Sequence, residues 1–236
     1  LTIAVCREPS GRIGIEIRRA PVRTIFITGG TGYLGQALIP LLLRGGHRVR
    51  ALVRAGSERK LPAGCEAIVG DPLRAATFVA AIAPAETFVQ LVGVPHPSPA
   101  KAKQFREIDL VSVRESVAVA KAADIRHFIY LSVAQPAPIM REYLAVRAEG
   151  EAMIRASGMN ATFVRPFYVL GPGHWWPYFI LPMFWLAELL PAKREAARRL
   201  KPVTLVQVLA ALLRAVEQPS SGVRVVEAEE MRRTLT

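Results

Sequence analysis

Cysteine is nearly missing from this sequence: Cys6 and Cys65 are the only two in 236 residues. Two thiols so far apart make neither a disulfide framework nor a CxxC motif. A reducing compartment is therefore expected, with the cytoplasm as location and no bound metal. Acidic residues are in deficit, 19 against 31 lysines and arginines, which leaves a net charge of +12. Such a balance suits nucleic acid, an anionic membrane or a phosphate-bearing ligand. No zinc-finger, RNP-like or basic-zipper pattern accompanies it, so nucleic acid is not an expected partner. The densest basic run is Lys193-Arg194, Arg198-Arg199 and Lys201. It reads as the solvated face of an alanine-rich helix, or as the flank of a membrane-surface patch. Long unbroken apolar runs are lacking as well. Trp175 to Leu190 is interrupted by Pro177, Pro182 and Glu188 and falls short of the ~20 residues that a span needs. No transmembrane helix is expected. The first residues have no basic n-region and do not read as a signal peptide. Residues 1–22 fit poorly with the rest of the chain and are taken as an extension: an extra strand, a disordered arm or a frame artefact.

What is present is core material. Hydrophobic residues make up 51% and charged residues 21%, enough for one α/β domain over residues 23–236. Strand and helix signals alternate. Strands are expected at Thr24–Ile27, His47–Val53, Ala67–Val69, Thr87–Val92, His127–Leu131, Thr162–Arg165 and Val223–Val226. Helices are expected at Tyr33–Arg44, Asp71 to about Ile82, Lys103–Ala123, Tyr143–Ser157 and Thr204–Glu217. Residues 171–202 are expected as a substrate-side region, beginning with an apolar loop. This alternation predicts a single-domain, Rossmann-type, doubly wound parallel sheet with helices on both faces.

The most specific motif is Thr28-Gly29-Gly30-Thr31-Gly32-Tyr33-Leu34-Gly35. It leaves a predicted strand and opens a predicted helix, the context that gives such a loop meaning. Gly29 permits the tight turn, Gly32 lets backbone approach a pyrophosphate, and Gly35 allows close helix–strand packing. The helix start offers free N–H groups and a favourable dipole to phosphate. Gly29, Thr31, Gly32, Tyr33, Leu34 and Gly35 are thus expected to contact a dinucleotide. At the end of the second strand, where NAD-selective sites place a carboxylate, the sequence reads Leu52-Val53-Arg54. Arg54 can pair with a 2′-phosphate through its planar fork, with Arg59 and Lys60 adding potential. NADP(H) is therefore favoured over NAD(H), although Arg54 also reads as a plain surface residue.

With Gly70-Asp71, Tyr130-Leu131-Ser132, Tyr143 with Arg147, and Arg165-Pro166 before Gly171-Pro172-Gly173, the sequence resembles the short-chain dehydrogenase/reductase superfamily. The resemblance is to its atypical and extended, epimerase-like NAD(P)-binding branch, over roughly residues 23 to 230. It implies that Gly70 and Asp71 meet adenine, that Leu91, Val92 and Gly93 border the adenine ribose, and that Pro166 contacts the cofactor. Asp71 also reads as a helix N-cap. The family's acid/base tyrosine then corresponds to Tyr143 and its substrate-orienting serine to Ser132. The family's lysine, four residues past the tyrosine, is replaced by Arg147. Arginine keeps the charge that favours tyrosinate but cannot relay a proton. The residues alone also allow plainer readings. Tyr143 can be a packed ring, Ser132 a turn residue, and Arg147 an ion-pair partner of Glu151 or Glu142. Asp109 stands where the family often has asparagine, and also reads as a helix-face carboxylate.

His174 to Trp185 is apolar and aromatic. It is expected to wall a pocket for an apolar small-molecule substrate, to cover core, or to form a protein or membrane-surface contact; His174 is a further candidate site residue. The leading expectation is an NADP(H)-dependent oxidoreductase acting on a carbonyl, an alcohol or an activated double bond. The alternative is a non-catalytic NAD(P)H-binding module, which Arg147 favours. A cofactor-recycling epimerase or dehydratase ranks below both, because the short C-terminal region leaves little room for a nucleotide sugar.

Overall fold

Apolar strands alternating with amphipathic helices build one seven-stranded parallel sheet in the computed structural model of the chain. The structure describes residues 4–7, 13–16, 21–137, 140–173, 179 and 181–233. The first four-residue strands, β1 (Ala4–Arg7) and β2 (Ile13–Glu16), pair antiparallel with each other and stand outside the main sheet. The sheet is built from β3 (Thr24–Thr28), β4 (Arg48–Val53), β5 (Glu66–Val69), β6 (Thr87–Gln90), β7 (His127–Leu131), β8 (Ala161–Arg165) and β11 (Val223–Glu227). Their order is β11-β8-β7-β6-β3-β4-β5. The order reverses between β3 and β6, and this reversal opens a crevice at the carboxyl ends of the strands.

Both faces of the sheet are covered, as a parallel sheet requires. Successive strand residues point to opposite faces, so Ile25 and Ile27 enter one core while Phe26 enters the other. The first core lies under α1 (Tyr33–Arg44) and α7 (Leu205–Glu217), closed by α8 (Ala228–Arg233). The second lies under α3 (Val111–Ala122) and α4 (Arg141–Ala156). In it Phe26, Phe88 and Phe128 sit in register on neighbouring strands, with ring centres 5.4 and 5.1 Å apart.

Several expectations need correction. Asp71 to Ile82 is not an α-helix but two short 3₁₀ turns, Ala75–Thr77 and Val79–Ala81. Between them Phe78 takes φ −141°, outside helical geometry, and its buried ring stacks on Phe26 at 6.0 Å. Core packing overrides the local N-cap and proline signal. The fourth expected strand ends at Gln90 rather than Val92, because β3 turns away at Gly29 and the ladder closes with the Leu91 N–H donating to the Thr28 carbonyl at 3.1 Å. The expected helix Lys103–Ala123 begins as α2 (Ala102–Gln104), widens into a π-helical stretch over Phe105–Leu110, and continues as α3. Residues 181–189 are helical, not loop, as α5 (Leu181–Leu189), while the alanine-rich basic run is helical as expected, in α6 (Pro191–Leu200). Pro182 and Pro191 fall in first turns, where the missing N–H has no partner to lose. Two-residue strands β9 (Val169–Leu170) and β10 (Val203–Thr204) pair in parallel and fix the two ends of this region together. No helix among the described residues is long and apolar enough to cross a membrane.

Candidate functional site

The glycine loop lies at the switch point of the sheet. β3 ends at Thr28, and Gly29 turns the chain at φ +77°, a conformation that disfavours any side chain. A Cβ on Gly29 would stand 2.8 Å from the Leu91 carbonyl carbon and 2.9 Å from the Val92 nitrogen. The loop therefore rests directly on backbone leaving β6. A Cβ on Gly35 would overlap the Gly29 oxygen and the Gly30 backbone. The first turn of α1 is thereby drawn onto its own loop. Gly32 is the N-cap; no side chain caps this helix end, and its first turn holds no acidic residue. The positive end of the dipole faces the crevice with its leading N–H groups uncapped by side chains.

Arg54 leaves β4 on the same rim. Its side chain is exposed, and its carbonyl accepts from the Ser57 N–H at 3.0 Å in a turn completed by Gly56 at φ +80°. Arg59 and Lys60, exposed in the next 3₁₀ turn, stand further along the chain on this side. Gly70 leaves β5 hydrogen-bonded to the Val53 oxygen at 2.9 Å, and a Cβ there would press on Leu52. The Asp71 carboxylate accepts from the Leu73 N–H at 2.9 Å. It caps a turn, although the helix expected after it does not form.

The expected catalytic residues gather at the carboxyl ends of β6, β7 and β8. Ser132 follows β7, and α4 carries Tyr143 and Arg147 one turn apart. Arg147 is 4% exposed, and its ion-pair partner is neither Glu142 nor Glu151 but Asp109. Its Nη2 pairs with Asp109 Oδ2 at 3.3 Å, while its Nη1 donates to the Leu131 carbonyl at 3.0 Å and to the Tyr130 hydroxyl at 3.4 Å. Its guanidinium carbon lies 5.1 Å from the centre of the Tyr143 ring. On the other side of the pair Asp109 Oδ1 accepts from the Val94 N–H at 2.7 Å, whereas the buried Arg147 Nε has no hydrogen-bond partner among the described residues. Gly93 is required here, because any side chain would enter the Arg147 guanidinium. Tyr143 is half-buried, with its ring 5.1 Å from that of Phe105.

Burial raises the Asp109 carboxyl above its ordinary range, against the lowering effect of Arg147 and the Val94 N–H. Burial opposes the charge on Arg147 too. Tyr143, Tyr130 and Asp109 more than offset it and hold the guanidinium above its ordinary value. Tyr130 is pushed up to about 12, chiefly by burial. Arg147 thus stays a cation and Tyr130 a neutral phenol.

Ser132 is held in a second network. Its hydroxyl donates to Glu151 Oε1 at 2.6 Å. Glu151 is also gripped by Arg165, whose Nε donates to it at 2.8 Å and whose Nη1 reaches Glu227 at 2.8 Å. Pro166 is buried, and its carbonyl accepts from the Ala134 N–H at 3.0 Å, which ties the exits of β7 and β8. His174, Trp175, Trp176, Pro177 and Tyr178 lie outside the described residues.

A buried polar chain went unread in the sequence. Thr28 donates to Gln90, Gln90 Nε2 donates to Ser112 Oγ at 3.0 Å, and Ser112 donates to the Asp109 carbonyl at 2.9 Å. It runs from the glycine-loop strand to the acid beside Arg147. One signal was available: Asp109 and Arg147 depart from the resembled pattern with opposite charge, as a compensating pair would.

Comparison with known proteins agrees with this geometry. A family described as NAD(P)H-binding matches residues 29–174. A ceramide reductase of Caulobacter vibrioides is 27% identical over 179 residues, 74% of this chain and 55% of that protein. The chain spans little more than half the length of that relative. Among solved structures, Bordetella bronchiseptica WbmH in complex with NAD+ superposes with a TM-score of 0.65 at 19% identity, over 88% of this chain and 76% of that one. A short-chain dehydrogenase/reductase superfamily protein of Agrobacterium tumefaciens with bound NAD gives 0.63 at 18% identity, over 86% and 77%. At these identities the likeness is one of fold.

Proposed function

Because the chain belongs to the NAD(P)H-binding family, we propose that it is an NADP(H)-dependent oxidoreductase of the short-chain type, acting on the carbonyl or alcohol of an apolar small molecule. One observation carries the reading: Gly29 and Gly35 pack where no Cβ fits, and they hold an uncapped helix start over the switch point of the sheet. A dinucleotide pyrophosphate fits that cradle. Gly29, Thr31, Gly32, Tyr33, Leu34 and Gly35 would hold it; Gly70, Asp71, Leu91, Val92 and Gly93 would flank its adenosine half, and Pro166 its other end. Arg54 is exposed, without a carboxylate partner among the described residues. That leaves its fork available to a 2′-phosphate, which supports NADP(H) over NAD(H).

When bound, the cofactor supplies or accepts the hydride. The Tyr143 hydroxyl gives a proton to the developing alkoxide, and in the reverse direction its tyrosinate form takes one from the alcohol. Arg147 lies beneath the ring, its guanidinium carbon 5.1 Å from the ring centre, and places a fixed cation beside the reacting group. Ser132, with its own proton on Glu151, can accept from a substrate hydroxyl. To donate to a carbonyl it has to rotate away from Glu151 first. The test is single-turnover oxidation of bound NADPH by a panel of apolar carbonyl compounds, with ceramide-type lipids first because of the 27% identical relative. Tyr143→Phe should lower the rate by about 10²-fold or more. By calorimetry, Arg54→Ala should weaken NADPH about tenfold, the scale of one charge-assisted contact, and leave NADH unchanged. Equal affinity for both cofactors in the unmodified chain would end the NADP(H) reading.

A second reading, a binding module that keeps NADP(H) as a structural or sensing ligand, is favoured by the engagement of two of the three catalytic candidates. Arg147 is held by Asp109 and Leu131, and Ser132 by Glu151. Tight NADPH binding without turnover across the whole panel selects it.

A further inference from the structure

α5 is apolar but for Glu188, whose carboxylate is paired with Lys201 at 2.9 Å, a composition that ordinarily marks a buried helix. Here Phe184 alone is buried, against Ala134, Ala197 and Leu200. Met183, Trp185, Leu186, Leu189 and Leu190 are 48–72% exposed. Large apolar side chains packed so closely in sequence mark a contact surface rather than scattered surface residues. α6 comes immediately after it, its first N–H groups bonded to the Leu190 carbonyl. It exposes Lys193, Arg194 and Arg198, and none of the three pairs with a carboxylate among the described residues. Arg194 Nε donates to the Glu188 carbonyl at 3.0 Å, which lays this cation against the end of α5.

The charge decides among occupants. A second copy meeting this face across a two-fold axis would bring the same three cations together, on a chain of net charge +12. An anionic bilayer complements both parts: acyl boundary for leucine, methionine and tryptophan, and headgroups for the cations. Trp185 suits the interfacial depth. With nine residues, α5 is about 13 Å long, far short of the ~20 residues needed to cross, so it lies in the plane of the interface. We propose that the exposed face of α5 inserts into an anionic membrane surface, with Lys193, Arg194 and Arg198 on the headgroups. α5 is fixed to the body through Phe184 on Ala134 and Phe167, just beyond β7 and β8. Docking therefore turns the carboxyl ends of these strands, where Ser132 lies, toward lipid. An apolar ligand could then enter from the bilayer without crossing water.

The experiment is co-sedimentation of the chain with vesicles of phosphatidylcholine alone and of phosphatidylcholine with phosphatidylglycerol. The chain should bind the second and not the first, more weakly as salt rises. Lys193→Gln with Arg198→Gln should weaken binding about fivefold for each cation, so about 25-fold together. Leu186→Glu with Leu189→Glu should abolish it, while leaving the urea midpoint unchanged because both side chains are exposed. Three results overturn the proposal: no binding to the anionic vesicles, binding that the leucine pair does not affect, or a dimer by sedimentation velocity that the leucine pair dissociates.

Discussion

At the scale of single residues, the Asp109–Arg147 pair matters most. Both side chains are almost wholly buried, so removing one leaves the other charge uncompensated. Asp109→Ala should cost about 3–5 kcal/mol, read from urea unfolding. A double-mutant cycle of Asp109→Asn and Arg147→Lys should show a coupling of about 0.5–3 kcal/mol, as expected for contacting groups. A coupling near zero would mean that the two act independently. The pair also explains how Arg147 can stay close beneath Tyr143. Asp109, the Leu131 carbonyl and Gly93 confine the guanidinium, and Asp109 is in turn held by the Val94 N–H.

At the scale of elements, α7 has the most complete local signal. Thr204 Oγ1 accepts from the Gln207 N–H at 3.2 Å, and Gln207 Oε1 accepts from the Thr204 N–H at 2.9 Å, a closed capping box. Thr204→Ala should cost about 1 kcal/mol and lower Tm by about 2–4 °C in scanning calorimetry. Such local signals are what made much of the fold legible. β3, the glycine loop and α1 could be read because the apolar run, the glycine spacing and the Gly45-Gly46 stop all lie within one short stretch. Residues 71–82 could not, because Phe78 answers to Phe26 on a distant strand. The π-helical widening at Phe105–Leu110 packs against α4 through Phe105 and Val146, which nothing in its own sequence announces. α5 was hidden by Pro182, which reads as a break but stands in a first turn. In the candidate site, the residue types at Ser132, Tyr143 and Arg147 were visible through the order of motifs. Their partners Glu151 and Asp109 required the three-dimensional arrangement.

At the scale of the whole molecule, stability carries a pH signature from the end of the sheet opposite the glycine loop. His127 opens β7, with Nε2 3.0 Å from Thr162 Oγ1. Burial, reinforced by Arg23, lowers its pKa to about 4. His47, which accepts from the Arg23 N–H, is lowered for the same reasons. Both stay neutral in the folded chain, whereas the unfolded chain protonates them near the ordinary 6.5. Stability is therefore full above that value and falls as pH drops toward 4, by about 3 kcal/mol for His127. Urea midpoints measured between about pH 7 and pH 4 should show the loss, and His127→Gln should remove most of it. An unchanged slope in that variant would assign the loss to carboxylates instead. The buried pair at 109 and 147 has a consequence on a longer clock. A change at either position alone strands the other charge away from water, at a cost comparable to a large share of a domain's ~5–15 kcal/mol. The two positions are therefore free to vary only together.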